Sequence, residues 1–152
     1  ASCLVGSEMC IRDRFRYQDI LDYEIQMDEE IYGYIIPKLT LQPLVENALY
    51  HGIKNKRGKG KILITGKKQG DKIIFQVIDN GKGMTEEELN SLRKKMAGTD
   101  TGDEAKGFGV SNVNQRIKYY YGEEYGVFFE SKENEGTNAT IIIAAKNIQL
   151  PS

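Results

Sequence analysis

An aspartate that closes an apolar run and is followed at once by glycine-rich chain, Asp79-Asn-Gly-Lys-Gly-Met84, is well suited to reading a ligand. The preceding Ile73-Ile-Phe-Gln-Val-Ile78 reads as a strand, which puts the Asp79 carboxylate at the rim of a sheet. A carboxylate accepts from an exocyclic amine. It favours adenine over guanine, whose carbonyl oxygen would set two acceptors face to face, by roughly 1–3 kcal/mol or more. Gly81 and Gly83 let backbone approach a ligand without a Cβ in the way, and Met84 offers a soft apolar edge to a base. The same residues also read as an ordinary turn with a core methionine behind it.

A second motif, Leu41-Gln-Pro-Leu-Val-Glu-Asn-Ala-Leu-Tyr-His-Gly-Ile53, carries Glu46 and Asn47 side by side on a predicted helix, about 100° apart. An amide oxygen such as that of Asn47 suits magnesium, which takes few protein ligands when phosphates supply the rest. Glu46 suits a general base that accepts the proton of a nucleophile attacking phosphorus. Both also fit a polar helix flank. His51, one turn on, could reach the same phosphates or pack and hydrogen-bond locally. The basic run from Lys54 to Lys61 reads as a solvated loop that could also gather anions.

The third motif, Gly107-Phe-Gly-Val-Ser-Asn-Val113, sets two glycines at a helix entrance, where free amides and the helix dipole can hold phosphate oxygens. Neither the GxxxxGK phosphate loop nor the GxGxxG dinucleotide fingerprint occurs.

Periodicity gives the elements that must position these residues. Alternation predicts a strand over residues 20–27. Leu41, Leu44, Val45, Ala48 and Leu49 predict a helix with Thr40 as cap and Gly52 as stop. Residues 62–67 and 72–79 predict a hairpin at the centre of a sheet. Thr85 with Glu86, Glu87 and Glu88 opens a capped helix ending by Ala97. Residues 98–106 are almost free of apolar side chains and predict a mobile lid, hinged on glycine. A helix over 109–121 and strands over 126–131 and 137–145 complete the pattern.

With 152 residues, 39% hydrophobic and 28% charged, the chain fits one domain. The 21 basic and 22 acidic residues leave a net charge of -1, which argues against a nucleic-acid partner and for a small ligand. No apolar run approaches the roughly 18 residues of a membrane span, no secretory signal is read, and Cys3 and Cys10 suggest neither zinc nor a disulfide framework. Residues 1–14 are read as a non-native or disordered lead, and 15–152 as the domain.

Taken in order, the three motifs resemble the GHKL ATPase superfamily, and within it the catalytic domains of YesM- and LytS-type sensor histidine kinases. Residues 36–52 resemble the asparagine box, 79–84 the first glycine box and 107–117 the second, and Gly136-Thr137 also fits. The resemblance implies an α/β (α+β) two-layer sandwich, the Bergerat fold, with a mixed, mainly antiparallel sheet against about three helices. It implies ATP and Mg2+ as ligands, with Asn47 on the metal, Glu46 assisting phosphoryl transfer, Asp79 on adenine and Thr137 supporting that contact, often through water. Gly107, Phe108, Gly109 and Val110 would embrace the phosphates. Phe108 and Val110 differ from the aliphatics more usual there, a change expected to affect lid packing.

The same resemblance implies a catalytic fragment of a two-component sensor histidine kinase, passing the ATP γ-phosphate to a histidine on a dimerisation domain absent from these residues. Its partners would be that domain and a downstream response regulator. The fragment is expected to be monomeric and cytoplasmic, reaching a membrane only through upstream segments. The alternative is a stand-alone module like an anti-sigma factor, which uses the same pocket but acts by gripping a protein.

Overall fold

Alternating polarity draws the first strand, β1 (Leu21–Met27), into an extended edge with Tyr23, Ile25 and Met27 half-buried and Asp22, Glu24 and Gln26 exposed. The computed structural model describes residues 21–36, 41–49, 60–97 and 108–146. After β1, a 3-10 turn (Glu29–Gly33) seats Ile31 in the core. Helix α1 (Gln42–Asn47) follows, then the hairpin of β2 (Gly60–Gln69) and β3 (Lys72–Asp79). Gly70, at φ +64, takes the first central position of the two-residue turn between them, which needs a positive φ.

Helices α2 (Glu86–Met96) and α3 (Phe108–Tyr121) precede the closing hairpin of β4 (Gly126–Lys132) and β5 (Gly136–Ala144). The predicted cap of α2 is formed in full. Thr85 Oγ1 accepts the Glu88 N–H at 3.2 Å, and Glu88 Oε2 accepts the Thr85 N–H at 2.9 Å.

The five strands lie in the order β1-β2-β3-β5-β4, with β1 parallel to β2 and every other pair antiparallel. In register, Ile73, Phe75 and Val77 of β3 oppose Ile143, Ile141 and Ala139 of β5, and all six are buried. Against this row pack Leu44 and Val45 of α1, Leu89 and Met96 of α2, and Val110, Val113 and Ile117 of α3. Burying each such side chain stabilises the fold by about 1.5–3 kcal/mol. The opposite face of the sheet carries half-buried Leu63, Ile74, Ile78 and Ile142 and an exposed Phe128, so helices cover one face. This is the expected two-layer α+β sandwich with a mixed, mainly antiparallel sheet.

One boundary is corrected. Leu41, rather than Thr40, holds the N-cap position of α1, and no side chain caps it. Pro43 sits in the first turn, where its missing N–H has no helical acceptor to serve and its fixed φ suits a helix start. Thr40, Gly52, the lead 1–14 and the lid 98–106 lie outside the described residues.

Buried Asn114 ties three elements together. Its Nδ2 donates to the Met96 carbonyl at 3.3 Å, at the end of α2, and its Oδ1 accepts the Val127 N–H at 2.9 Å, at the start of β4. Arg93 of α2 donates to the Phe129 carbonyl at 2.9 Å, which fixes the same helix to the edge strand.

At the far end of α3, Tyr121 is buried with its ring edge-on to Tyr125 at 6.4 Å, and among the described residues its hydroxyl has no hydrogen-bond partner. Burial pushes its pKa from 10.0 up to about 12. The unfolded chain therefore ionises first as pH rises. The contribution that Tyr121 makes to stability by staying neutral is fully present below pH 10 and is lost as pH rises from 10 to 12. Removing an unsatisfied buried hydroxyl without changing shape is near neutral or favourable, so Tyr121→Phe is expected to raise stability by up to about 1 kcal/mol at neutral pH. It should also shrink the alkaline loss. Urea unfolding at about pH 7 and about pH 11 checks both, and a variant clearly less stable at neutral pH would contradict the prediction.

Candidate functional site

Strand register builds the site's floor. Asp79 is the last residue of β3, 6% exposed, and stands directly opposite Thr137 of β5. Thr137 in turn stands opposite Ser131 of β4. Directly opposed residues project to the same face, and Asp79 continues the row of Ile73, Phe75 and Val77 on the helix-covered side. The result is a polar row, Asp79, Thr137 and Ser131, closing the end of an otherwise apolar layer.

The loop after β3 is fastened onto this row. Gly81 donates its N–H to Asp79 Oδ1 at 2.9 Å, so the carboxylate shapes the turn as well as facing the site. The Met84 N–H reaches Ser131 Oγ at 2.8 Å, and the Asn134 N–H reaches the Lys82 carbonyl at 2.6 Å. Gly83, buried at φ +66, lies where an added Cβ would come within 2.0 Å of the Lys132 carbonyl oxygen. The space beside this glycine is filled by the β4–β5 turn, so its missing Cβ serves that contact. Met84 is half-buried against the core and so occupies a border position between base edge and packing.

From the other layer comes α1. Glu46 and Asn47 are both half-buried at its C-terminal end, and the backbone widens to a π-helical turn at Ala48 and Leu49 directly after them. Gln42, one turn earlier, donates from Nε2 to Glu46 Oε1 at 3.3 Å and orients that carboxylate.

The start of α3 is pressed onto α1, where a Cβ added at Gly109 would lie 3.2 Å from Pro43 Cβ. Residues of the third motif are thereby set beside those of the second. Val110 is buried beneath, and Phe108 begins the helix. His51 and Gly107 lie outside the described residues.

Three contributors are not singled out by the motif chemistry: Ser131, Gln42 and Pro43. Gln42 and Pro43 lie within the second motif. Ser131 had one available signal, its place opposite Thr137 across a short turn.

A mixed sheet with helices on one face and a buried carboxylate at the end of its central strand defines the class, a two-layer α+β sandwich. The chain belongs to the family described as histidine kinase-, DNA gyrase B-, and HSP90-like ATPase, whose model matches residues 37–147. It is 35% identical over 134 residues to sensor histidine kinase YesM of Bacillus subtilis (strain 168), covering 88% of this chain and 21% of that protein. To sensor protein LytS of Bacillus anthracis it is 33% identical over 126 residues, covering 82% of this chain and 21% of that one. The chain thus spans about a fifth of the length of these two relatives. Among solved structures, the mycobacterial sensor histidine kinase MprB superposes with a TM-score of 0.64 at 16% identity, covering 93% of each chain, a likeness of fold. The chain is a histidine kinase-like ATPase domain.

Proposed function

We propose that this domain binds magnesium ATP and transfers the γ-phosphate to a histidine on a dimerisation domain of the same protein, from which a response regulator takes it. The observation that carries this reading is buried Asp79 at the rim of the central strand, paired in register with Thr137 on the face of the sheet against which the helices pack. In it, Asp79 accepts from the adenine amine and Thr137 supports that contact. Met84 edges the base. The amides at the start of α3, with Gly107, Phe108, Gly109 and Val110, surround the phosphates, and His51 contacts them. Gly81 and Gly83 keep the loop close.

The donor chemistry suits magnesium. Asn47 offers a neutral amide oxygen, and among the described residues no group of three or more His, Cys, Asp or Glu is gathered into a metal cage. Asn47 would therefore hold the ion together with phosphate oxygens and water. The ion's contribution is to neutralise charge developing on the phosphates.

Glu46, oriented by Gln42, would accept the N–H proton of the attacking imidazole as its other nitrogen bonds phosphorus and ADP leaves with the bridging oxygen. No described helix is long and apolar enough to cross a membrane. The domain itself works as a cytoplasmic monomer, with any membrane sensor upstream.

The test joins this domain to its dimerisation helices and supplies ATP labelled on the γ-phosphate. Label should appear on protein, be lost in acid and survive alkali, as a phosphohistidine does. Glu46→Gln is expected to slow labelling by about 10²–10⁴-fold while ATP binding persists. Acid-stable label, or none from protein that binds ATP, would overturn the reading.

A further inference from the structure

The Ser131 hydroxyl sits at a branch point that the phosphate chemistry does not require. Its oxygen lies 2.8 Å from the Met84 nitrogen, 3.0 Å from the Gly136 carbonyl oxygen and 2.8 Å from Thr137 Oγ1. A serine hydroxyl has one proton to give and two lone pairs to accept with. The Met84 N–H can only donate and the Gly136 carbonyl can only accept. Those two contacts use one lone pair and the proton, which leaves only a lone pair for Thr137. All three contacts are hydrogen bonds in a single arrangement, with Thr137 Oγ1–H donating to Ser131. The Thr137 hydroxyl then has no proton left for a ligand and shows only lone pairs.

We infer that Ser131 is a positioning residue for base selectivity: by holding the Thr137 proton, it turns the opposed pair Asp79 and Thr137 into an all-acceptor edge. This inference rests on the reading of that pair as the base site. An ionised carboxylate is acceptor-only, so such an edge complements an exocyclic amine and repels a carbonyl. The polarity survives a bridging water. A water donating both protons to Asp79 and Thr137 meets the base with lone pairs alone. Without Ser131, Thr137 can turn its proton toward the ligand and accommodate a carbonyl.

The test compares ATP with inosine triphosphate, which carries a carbonyl in place of the amine at the same purine position. Calorimetric titration of the wild-type domain is expected to favour ATP by at least about 100-fold. Ser131→Ala should reduce that ratio about tenfold, and Ser131→Thr, which keeps the hydroxyl, should retain it. A purely structural role for Ser131 would weaken both nucleotides equally. An unchanged ratio in Ser131→Ala therefore overturns the inference. Should Ser131→Ala fail to fold by circular dichroism, Thr137→Val serves instead, expected to weaken ATP while leaving inosine triphosphate unaffected. An unaltered ratio there overturns it too. Wild-type protein that binds neither nucleotide is a distinct result and overturns the base-site reading beneath.

Discussion

Asp79→Asn is expected to weaken ATP binding by roughly 10- to 150-fold with the fold intact. The substitution is informative because asparagine keeps an Oδ1 acceptor for the Gly81 N–H, now bonded at 2.9 Å, and so keeps that bond of the turn after β3. What it removes is the charge, and it puts an amide donor where one acceptor was. A hydrogen bond to a charged group contributes about 1.5–3 kcal/mol, and about 1.4 kcal/mol is tenfold in affinity, which gives the range. Calorimetry on wild type and variant reads the loss, with circular dichroism as the control for folding. A folded Asp79→Asn protein that binds ATP as wild type does would remove Asp79 from the base site.

Gly136→Ala should cost more in stability than any surface change. Gly136 lies at φ +115, and a Cβ there would stand 2.0 Å from the Asp79 carbonyl oxygen and 3.0 Å from Asn80 Cα. The obstacles are backbone, which cannot swing aside as a side-chain end can. Strain at such a φ costs about 1–3 kcal/mol, and forcing an atom into filled space costs a similar amount. The expected loss of about 2–6 kcal/mol is a large part of the roughly 5–15 kcal/mol that holds a typical domain together. Gly33 is the control, with nothing within 4 Å of its added Cβ, so Gly33→Ala should stay within about 0.5 kcal/mol. Urea unfolding of both variants decides, and equal midpoints would contradict the assigned role of Gly136. The clash falls on the residue that supplies the site's carboxylate, so the same variant should also lose nucleotide affinity.

Much of the fold, and the place of Asp79 within it, was legible because short-range rules coincide there. Asp79 was readable as a strand-end carboxylate because alternation ended there and glycine began. Thr85 was readable as a cap because Glu88 stands at the spacing of a capping box, and both bonds form. The misplaced start of α1 shows where such rules compete. Thr40 is the better capping residue, but Pro43 fixes the first turn and Leu41 takes the cap position.

Other features depend on register and were harder to see. Ser131 in a strand looks like any solvent-facing polar residue until the pairing of β4 with β5 sets it opposite Thr137. Gly83 invited a ligand-facing interpretation, while the space beside it is filled by the Lys132 backbone, which no local pattern encodes. Tyr121 was readable as part of a helix, but the burial that leaves its hydroxyl without a partner among the described residues, with its ring edge-on to Tyr125, is a matter of packing that no local pattern encodes.

The most direct test of the central claim is titration of the wild-type domain with magnesium ATP and, separately, magnesium GTP. ATP is expected to bind with about 4–8 kcal/mol, micromolar to sub-millimolar, and GTP at least about 100-fold more weakly, because the Asp79 carboxylate meets an amine in one base and a carbonyl in the other. Binding of neither nucleotide, or equal binding of both, would contradict it.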